Sequence, residues 1–295
     1  MTAVRMTQRL MTQHSLASLQ SGLNRLATSQ DKLSSGKAIT RPSDDPTGTN
    51  DAMRLRAALA TGEQQARNIQ DGQGWLGDAD STLTSMADSV RRARDLITQG
   101  SSTGNTDAAG REAIAQELTQ IRAGLINDAN AQHLGRPLFG GTTAGPVAYD
   151  PSGKYVGDSN SVNRTIGDGV TVAVNTTGPE AFSTGTDDLF TVLGDAIDQV
   201  RNSPSTLSGT LTRLDAVSRQ MTSALSSIGA RSNQLDAADS TLSTTKLNTT
   251  STLSSIEDVD IAAATMDVQM QTVAYQASLG ATAKVIQPSL LDFLR

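Results

Sequence analysis

The chain has no cysteine, few aromatic residues and no long apolar run, and each shortage removes a class of protein. With zero cysteines among 295 residues, disulfides and thiolate metal sites are excluded, while the compartment stays open. Aromatics make up 3% and hydrophobic residues 37%, which is lean for a compact globule of this length. Paired helices need fewer large side chains, because each layer buries only a narrow seam. No apolar run approaches the ~20 residues that span a bilayer. Lys and Arg form no block dense enough to track a phosphate backbone, and the net charge is −6, so nucleic acid is not the expected partner. The opening MTAVRMTQRLMTQHSLASL lacks an apolar stretch followed by a small-residue cleavage site. A cleaved secretory signal is therefore not expected.

The constellations of an active site are missing too. His14 and His133 lie far apart on predicted helices, and without cysteine or HExxH-type spacing no zinc site is expected. Gly72-Gln73-Gly74-Trp75-Leu76-Gly77 mimics a dinucleotide fingerprint, but no strand precedes it. Trp75 reads as packing. Asp44-Asp45 is explained by helix capping and charge at a helix N-terminus rather than acid–base work. Asp150-Pro151-Ser152-Gly153 is turn chemistry without calcium-loop spacing. No acid, base and nucleophile converge, so the expectation is a protein that is not an enzyme and uses no cofactor or metal.

What the chain does have is helical periodicity. Leu16, Leu19, Leu23, Leu26 and Leu33 fall at heptad steps and predict a helix over 5–35. RPSDDP interrupts it, and Asp45-Pro46 reads as the N-cap and first residue of a second helix. That helix carries Ala52, Leu55, Leu59, Gly62, Ala66 and Ile69, then an offset seam from Leu76 to Ile97, with a register slip at Gly72-Gln73-Gly74. Gly100 is the expected residue just past its end. A third helix, with Ile114, Leu118, Ile121 and Leu125, is expected to end near Gly135. Glycines, prolines and Val170-Thr171-Val172-Ala173-Val174 then predict a β-rich insertion over 138–187. From Leu207 to Ile256 one unbroken seam predicts a single long helix, antiparallel to the early ones because the insertion lies at one end of both. Ser254-Ser255-Ile256-Glu257 fits a capping box, which would start a last helix over 256–286.

That last helix has two apolar stripes. One is Val259, Ala263, Met266, Met270, Val273 and Ala277; the other is Ile261, Ala264, Val268, Tyr275, Leu279 and Ile286. Met266 and Met270 suit either an adaptable binding face or plain core. A helix apolar around most of its circumference must be covered. The N-terminal helix covers one face, leaving the second for other molecules. The fold expected is mainly α with a β-rich insertion: a long antiparallel, coiled-coil-like rod from the N- and C-terminal segments and a small β domain in the middle. Three domains are expected: 1–40 with 256–295, 41–137 with 188–255, and 138–187.

These residues also carry a family resemblance. ITRPSDDPTGTNDAMRLRAAL resembles the signature of the flagellin superfamily of bacterial axial proteins. LINDANAQHLGRPLFGGT, IGARSNQLD and LSSIEDVDIAAATMDVQMQTVAYQASLGATAKVIQPSLLDFLR are similar to further segments of it. RPSDDP, the opening VRMTQRLMTQHSLASLQ and the ending SLLDFLR resemble its hook-associated members more than its filament flagellins; the alternative is a minor filament flagellin. A helical signalling module would need a membrane span or docking domain, and none is visible.

The resemblance implies a structural component of the bacterial flagellum, exported through the flagellar type III apparatus to the cell exterior. It implies four partners: the preceding hook-associated junction protein, flagellin, neighbouring copies of the chain, and an export chaperone on the C-terminal helix. The terminal helices would form the assembly interface, through the five leucines named above with Val259, Ile261, Met266, Val268, Met270, Val273, Tyr275, Leu279, Ile286, Leu290, Leu291 and Phe293. Arg41, Pro42, Asp44, Asp45 and Pro46 would be the spoke between inner and outer domains.

Overall fold

The computed structural model describes residues 2–102, 107–185 and 187–286, with side chains described from residue 10 to residue 283. The chain divides into two compact units, Met1–Ala60 with Thr245–Arg295, and Thr61–Thr244. Long helices dominate both. These are α1 (Thr2–Ser35), α2 (Pro46–Gly100), α3 (Ala108–Ala129), α5 (Leu189–Asn202), α6 (Leu207–Glu257) and α7 (Ile261–Ile286). Among the described residues strands occur only as two-stranded antiparallel ribbons: β1 (Gln132–His133) with β2 (Arg136–Pro137), β3 (Asn163–Gly167) with β4 (Val170–Ala173), and β5 (Ser183–Thr184) with β6 (Asp187–Asp188). A short α4 (Gly178–Phe182) follows β4. The architecture is mainly α with a small β-bearing insertion, as the periodicity implies.

In the larger unit the expected seams are the core. Ile69, Leu76, Leu83, Met86, Val90 and Ile97 of α2 are buried against Ile114, Leu118 and Leu125 of α3, and against Leu214, Met221, Ile228 and Leu235 of α6. Side chains meet as antiparallel neighbours: Gly62 by Leu242, Gly72 by Leu235, Arg94 with Asp215. The glycine-rich stretch of α2 does not break the helix. Gly72 occupies a seam position where a Cβ would lie 2.9 Å from Val174 and 3.0 Å from Leu235, so the helix backbone itself closes the packing there. The insertion has its own aromatic centre, with Tyr149 in contact with Tyr155, Phe182 and Phe190, and Phe139 edge-on to Phe182.

Four boundaries differ from those the local pattern predicts. α3 ends at Ala129, not near Gly135, because Asn130 is used as a tertiary clip. Its Oδ1 accepts from the amides of Ala148 and Tyr149, and its Nδ2 donates to the Tyr149 carbonyl. His133 accordingly sits in β1, not on a helix. Gly100 is the last helical residue of α2 rather than the one beyond it; part of the turn that follows, 103–106, lies outside the described residues. The capping box at Ser254–Glu257 does not form. α6 continues to Glu257, and Asp260 caps α7, its Oδ1 accepting from the amides of Ala262 and Ala263.

Candidate assembly interface

In the terminal unit α1 packs antiparallel on α7, with Ser29 Oγ donating to Asp267 Oδ2 at 2.6 Å and Gly22 lying against the Tyr275 ring. The half-buried positions of α1 include Thr12, Ser15, Leu19, Gly22, Leu26, Ser29 and Leu33, which follow 3- and 4-residue steps, with Lys32 beside the last of them. Of the five leucines read as one seam, Leu19, Leu26 and Leu33 lie on this face, while Leu16 and Leu23 are exposed. On α7 the matching face is Ala264, Val268, Gln271, Tyr275 and Thr282. The seam is therefore thin and rich in small and polar groups.

The larger apolar side chains point the other way. Leu10, Met11, Leu16 and Leu23 of α1 and Ile261, Met266, Met270, Val273 and Leu279 of α7 are all exposed. Each is worth about 1.5–3 kcal/mol when fully buried. Val259 is half-buried in the link before α7. Ile286 ends α7, and its side chain lies outside the described set together with Leu290, Leu291 and Phe293.

The link between α1 and α2 contains the residues expected to form a spoke and is tied to the link between α6 and α7. Gly36 ends α1 in the left-handed region, at φ 69°. The chain then makes a two-sided bridge: the Ala38 amide donates to the Glu257 carbonyl at 2.6 Å, and the Val259 amide to the Gly36 carbonyl at 3.0 Å. Asp44 Oδ2 accepts from the Arg41 amide at 2.9 Å and the Thr40 hydroxyl at 3.0 Å. The Arg41 amide, then the Thr40 hydroxyl, hold its carboxyl below the usual range. Asp45 is the N-cap of α2, as its pairing with Pro46 predicts, with Oδ1 accepting from the Gly48 amide at 2.9 Å. Arg41, Pro42, Asp44, Asp45 and Pro46 are all exposed.

Pattern reading missed the residues that fasten this link. The Glu257 side chain is 5% exposed and lies 2.6 Å from an Arg56 nitrogen and 3.3 Å from Lys37 Nζ. Lys37 also reaches Asp258 at 2.6 Å. Asp258 raises the Lys37 ammonium above its ordinary value, and Lys37, then the Ser254 hydroxyl, lower the Asp258 carboxyl. Gly48 is required here, because a Cβ would fall 2.4 Å from Asp45 Oδ2 and 2.7 Å from Ile39 Cδ1. Its place three residues after the Asp45 cap was the one available signal. Among the described residues no helix is long and apolar enough to cross a membrane.

A chain whose first and last helices pair, and whose other long helices carry a small β-bearing insertion, has a mainly helical fold class. The family models for the bacterial flagellin N-terminal and C-terminal helical regions match residues 7–144 and 211–294. The chain belongs to the flagellin superfamily and is of the type of the structural proteins of the bacterial flagellum. It is 26% identical to flagellar hook-associated protein 3 of Escherichia coli, over 84% of this chain and 86% of that one. It is also 26% identical to flagellin of Bacillus subtilis, over 96% and 99%. Among solved structures, FlgL of Bacillus cereus shares the fold at a TM-score of 0.60 and 23% identity, over 68% of this chain and 99% of that one. Flagellar hook-associated protein 3 of Legionella pneumophila does so at 0.63 and 14%, over 69% and 98%.

Proposed function

We propose that this chain is the hook–filament junction subunit, seated between the preceding hook-associated junction protein and flagellin. The observation that carries the reading is the outward apolar face of the α1–α7 pair. Its exposed residues Met266, Met270 and Val273 are buried only if neighbouring copies close around them. The likeness to hook-associated protein 3, in sequence and in fold, supports the junction rather than the shaft. The same face gives an export chaperone its reason to hold α7 before assembly, since uncovered it invites aggregation. The three-part division (1–40 with 256–295, 41–137 with 188–255, 138–187) is our proposal for the pieces that act separately in the assembled axis.

The flagellin match along 96% of the chain favours a second reading, a minor filament flagellin. Seeded assembly viewed by electron microscopy separates the two. Purified chain is added to hooks that carry the preceding junction protein, and flagellin follows. A short cap that stops growing, and that flagellin needs before it extends, is the expected result. Indefinite growth of the chain alone would make it a filament protein, and no association with either partner would sink both readings.

A further inference from the structure

With no cysteine present, the thioethers of methionine are the only sulfur in the chain, and the fold divides them sharply by access. Met86 and Met221 are fully buried in the core of the larger unit, whereas Met266 and Met270 stand 63% and 65% exposed on α7. Met11 and Met53 are exposed as well, but they lie on α1 and α2. Oxidation of a thioether follows its access to the oxidant.

What sets Met266 and Met270 apart is the surface around them. Ala263, Met266, Met270, Val273 and Ala277 follow 3- and 4-residue steps and are all exposed, so they make one outward stripe of α7. The two thioethers stand four residues apart, one turn above the other on that stripe. None of the five side chains carries a hydrogen-bond donor. The charged residues of α7 are Asp267 and Lys284, and Asp267 is engaged toward α1, where its Oδ2 accepts from the Ser29 hydroxyl. The stripe can become polar only if its sulfur is oxidised.

We infer that Met266 and Met270 form a hydroperoxide-sensitive modification site whose oxidation switches off assembly. With hydrogen peroxide, a sulfur lone pair attacks one peroxide oxygen, the O–O bond breaks and an S–O bond forms. The displaced hydroxide takes the proton of the transferred oxygen and leaves as water, so sulfur loses the two electrons that the peroxide gains. An apolar thioether becomes a polar sulfoxide that accepts hydrogen bonds and donates none. In the free chain its oxygen stays in water, and the fold is untouched. In a closed assembly the oxygen is shut against a stripe without donors and bears the full desolvation cost of an unpaired polar group. The inference rests on the reading that neighbouring subunits close over this stripe.

The test treats full-length chain with dilute hydrogen peroxide and quenches it with free methionine. Peptide mass spectrometry should find an added oxygen on Met266 and Met270 and none on Met86 and Met221, with an unchanged melting temperature. The amount then assembled on hooks bearing the preceding junction protein should fall about ten-fold or more. Reductases for both sulfoxide epimers should restore it. Two variants separate the sites. Chain carrying Met11→Leu with Met53→Leu should keep the peroxide-dependent loss, while chain carrying Met266→Leu with Met270→Leu should give equal yields with and without peroxide. In caps formed beforehand, Met266 and Met270 should resist a peroxide dose that oxidises them in the free chain. Full assembly of chain bearing both sulfoxides, or a loss that survives the Met266→Leu and Met270→Leu pair, overturns the switch and leaves the assembly reading standing. Oxidation in caps as fast as in free chain overturns the switch together with the covered stripe. Absence of any cap from untreated chain overturns the assembly reading and the switch with it.

Discussion

Glu257 is the residue on which the terminal unit turns. Its carboxylate is almost fully withdrawn from water, but its partners Arg56 and Lys37 stand 60% and 42% exposed, so the cluster lies between a buried and a surface ion pair. Replacing Glu257 by Gln keeps the shape and removes the charge. The expected cost is about 1–2 kcal/mol, confined to the bridge between the two links. Hydrogen exchange reads it directly: the Ala38 and Val259 amides, which close that bridge, should exchange about ten-fold faster, with the amides of α3 and α5 unchanged. Equal protection in the variant would mean that the bridge holds without its charges.

The same bridge should respond to pH at both ends. Asp258 has a folded value below the ordinary carboxylate range. Its contribution is therefore complete above that range and is lost as pH falls through the folded value. Lys37 is shifted up, so its contribution is complete below the ordinary lysine value and is lost as pH climbs through the folded one. Protection of the Ala38 amide, corrected for the intrinsic exchange rate, should be greatest between about pH 5 and 9. A protection factor flat from about pH 3 to 11 would contradict the assignment.

At the scale of the element, α2 shows how one helix uses glycine in opposite ways. At Gly72 a Cβ would press on Val174 and Leu235 at 2.9 and 3.0 Å, whereas at Gly77 nothing lies within 4 Å. Alanine in place of either glycine gains about 1 kcal/mol of helix propensity. For Gly77→Ala that gain stands alone, and urea unfolding should show it in full. For Gly72→Ala crowding of two branched core side chains costs about 1–3 kcal/mol, so the net change should be destabilising. Equal effects of the two substitutions would show that the close approach at Gly72 relaxes freely.

These glycines also mark where sequence reading stops. The seams of α2 and α6 were legible because both helices bury one face along their length, and burial is what periodicity records. Asp45-Pro46 was legible because cap chemistry is local. Gly72 and Gly74 read as a register slip, since the side chains that need their space, Leu235, Val174 and His133, come from distant segments. Ser254 and Glu257 had the spacing of a capping box, but Glu257 is claimed by Lys37 and Arg56 from the other end of the chain, and Asp260 supplies the cap instead. The end of α3 was hidden for the same reason, since Asn130 answers to Ala148 and Tyr149. The α1 leucines show the limit for a surface. Heptad spacing placed Leu16 and Leu23 in one seam with Leu19 and Leu26, and only the partner helix decides which of them are covered.

For the molecule as a whole, the main core and the proposed assembly surface fall in different units. The core residues of the larger unit, among them Leu83, Leu118, Phe190, Leu214 and Met221, all fall within Thr61–Thr244. Deleting Val259–Arg295 should therefore leave that unit folded and helical by circular dichroism, while caps on hooks disappear. A gentler change isolates the surface itself. Met270 is 65% exposed, so Met270→Glu should alter the stability of the isolated chain by no more than about 0.5 kcal/mol. In an assembled ring the same carboxylate would have to be buried without a partner, which costs several kcal/mol per copy. A chain with an unchanged melt and no caps would place the outward face of α7 between neighbouring subunits. Normal caps would mean that Met270 stays in water after assembly, and that the assembly surface lies on the α1 side of the pair.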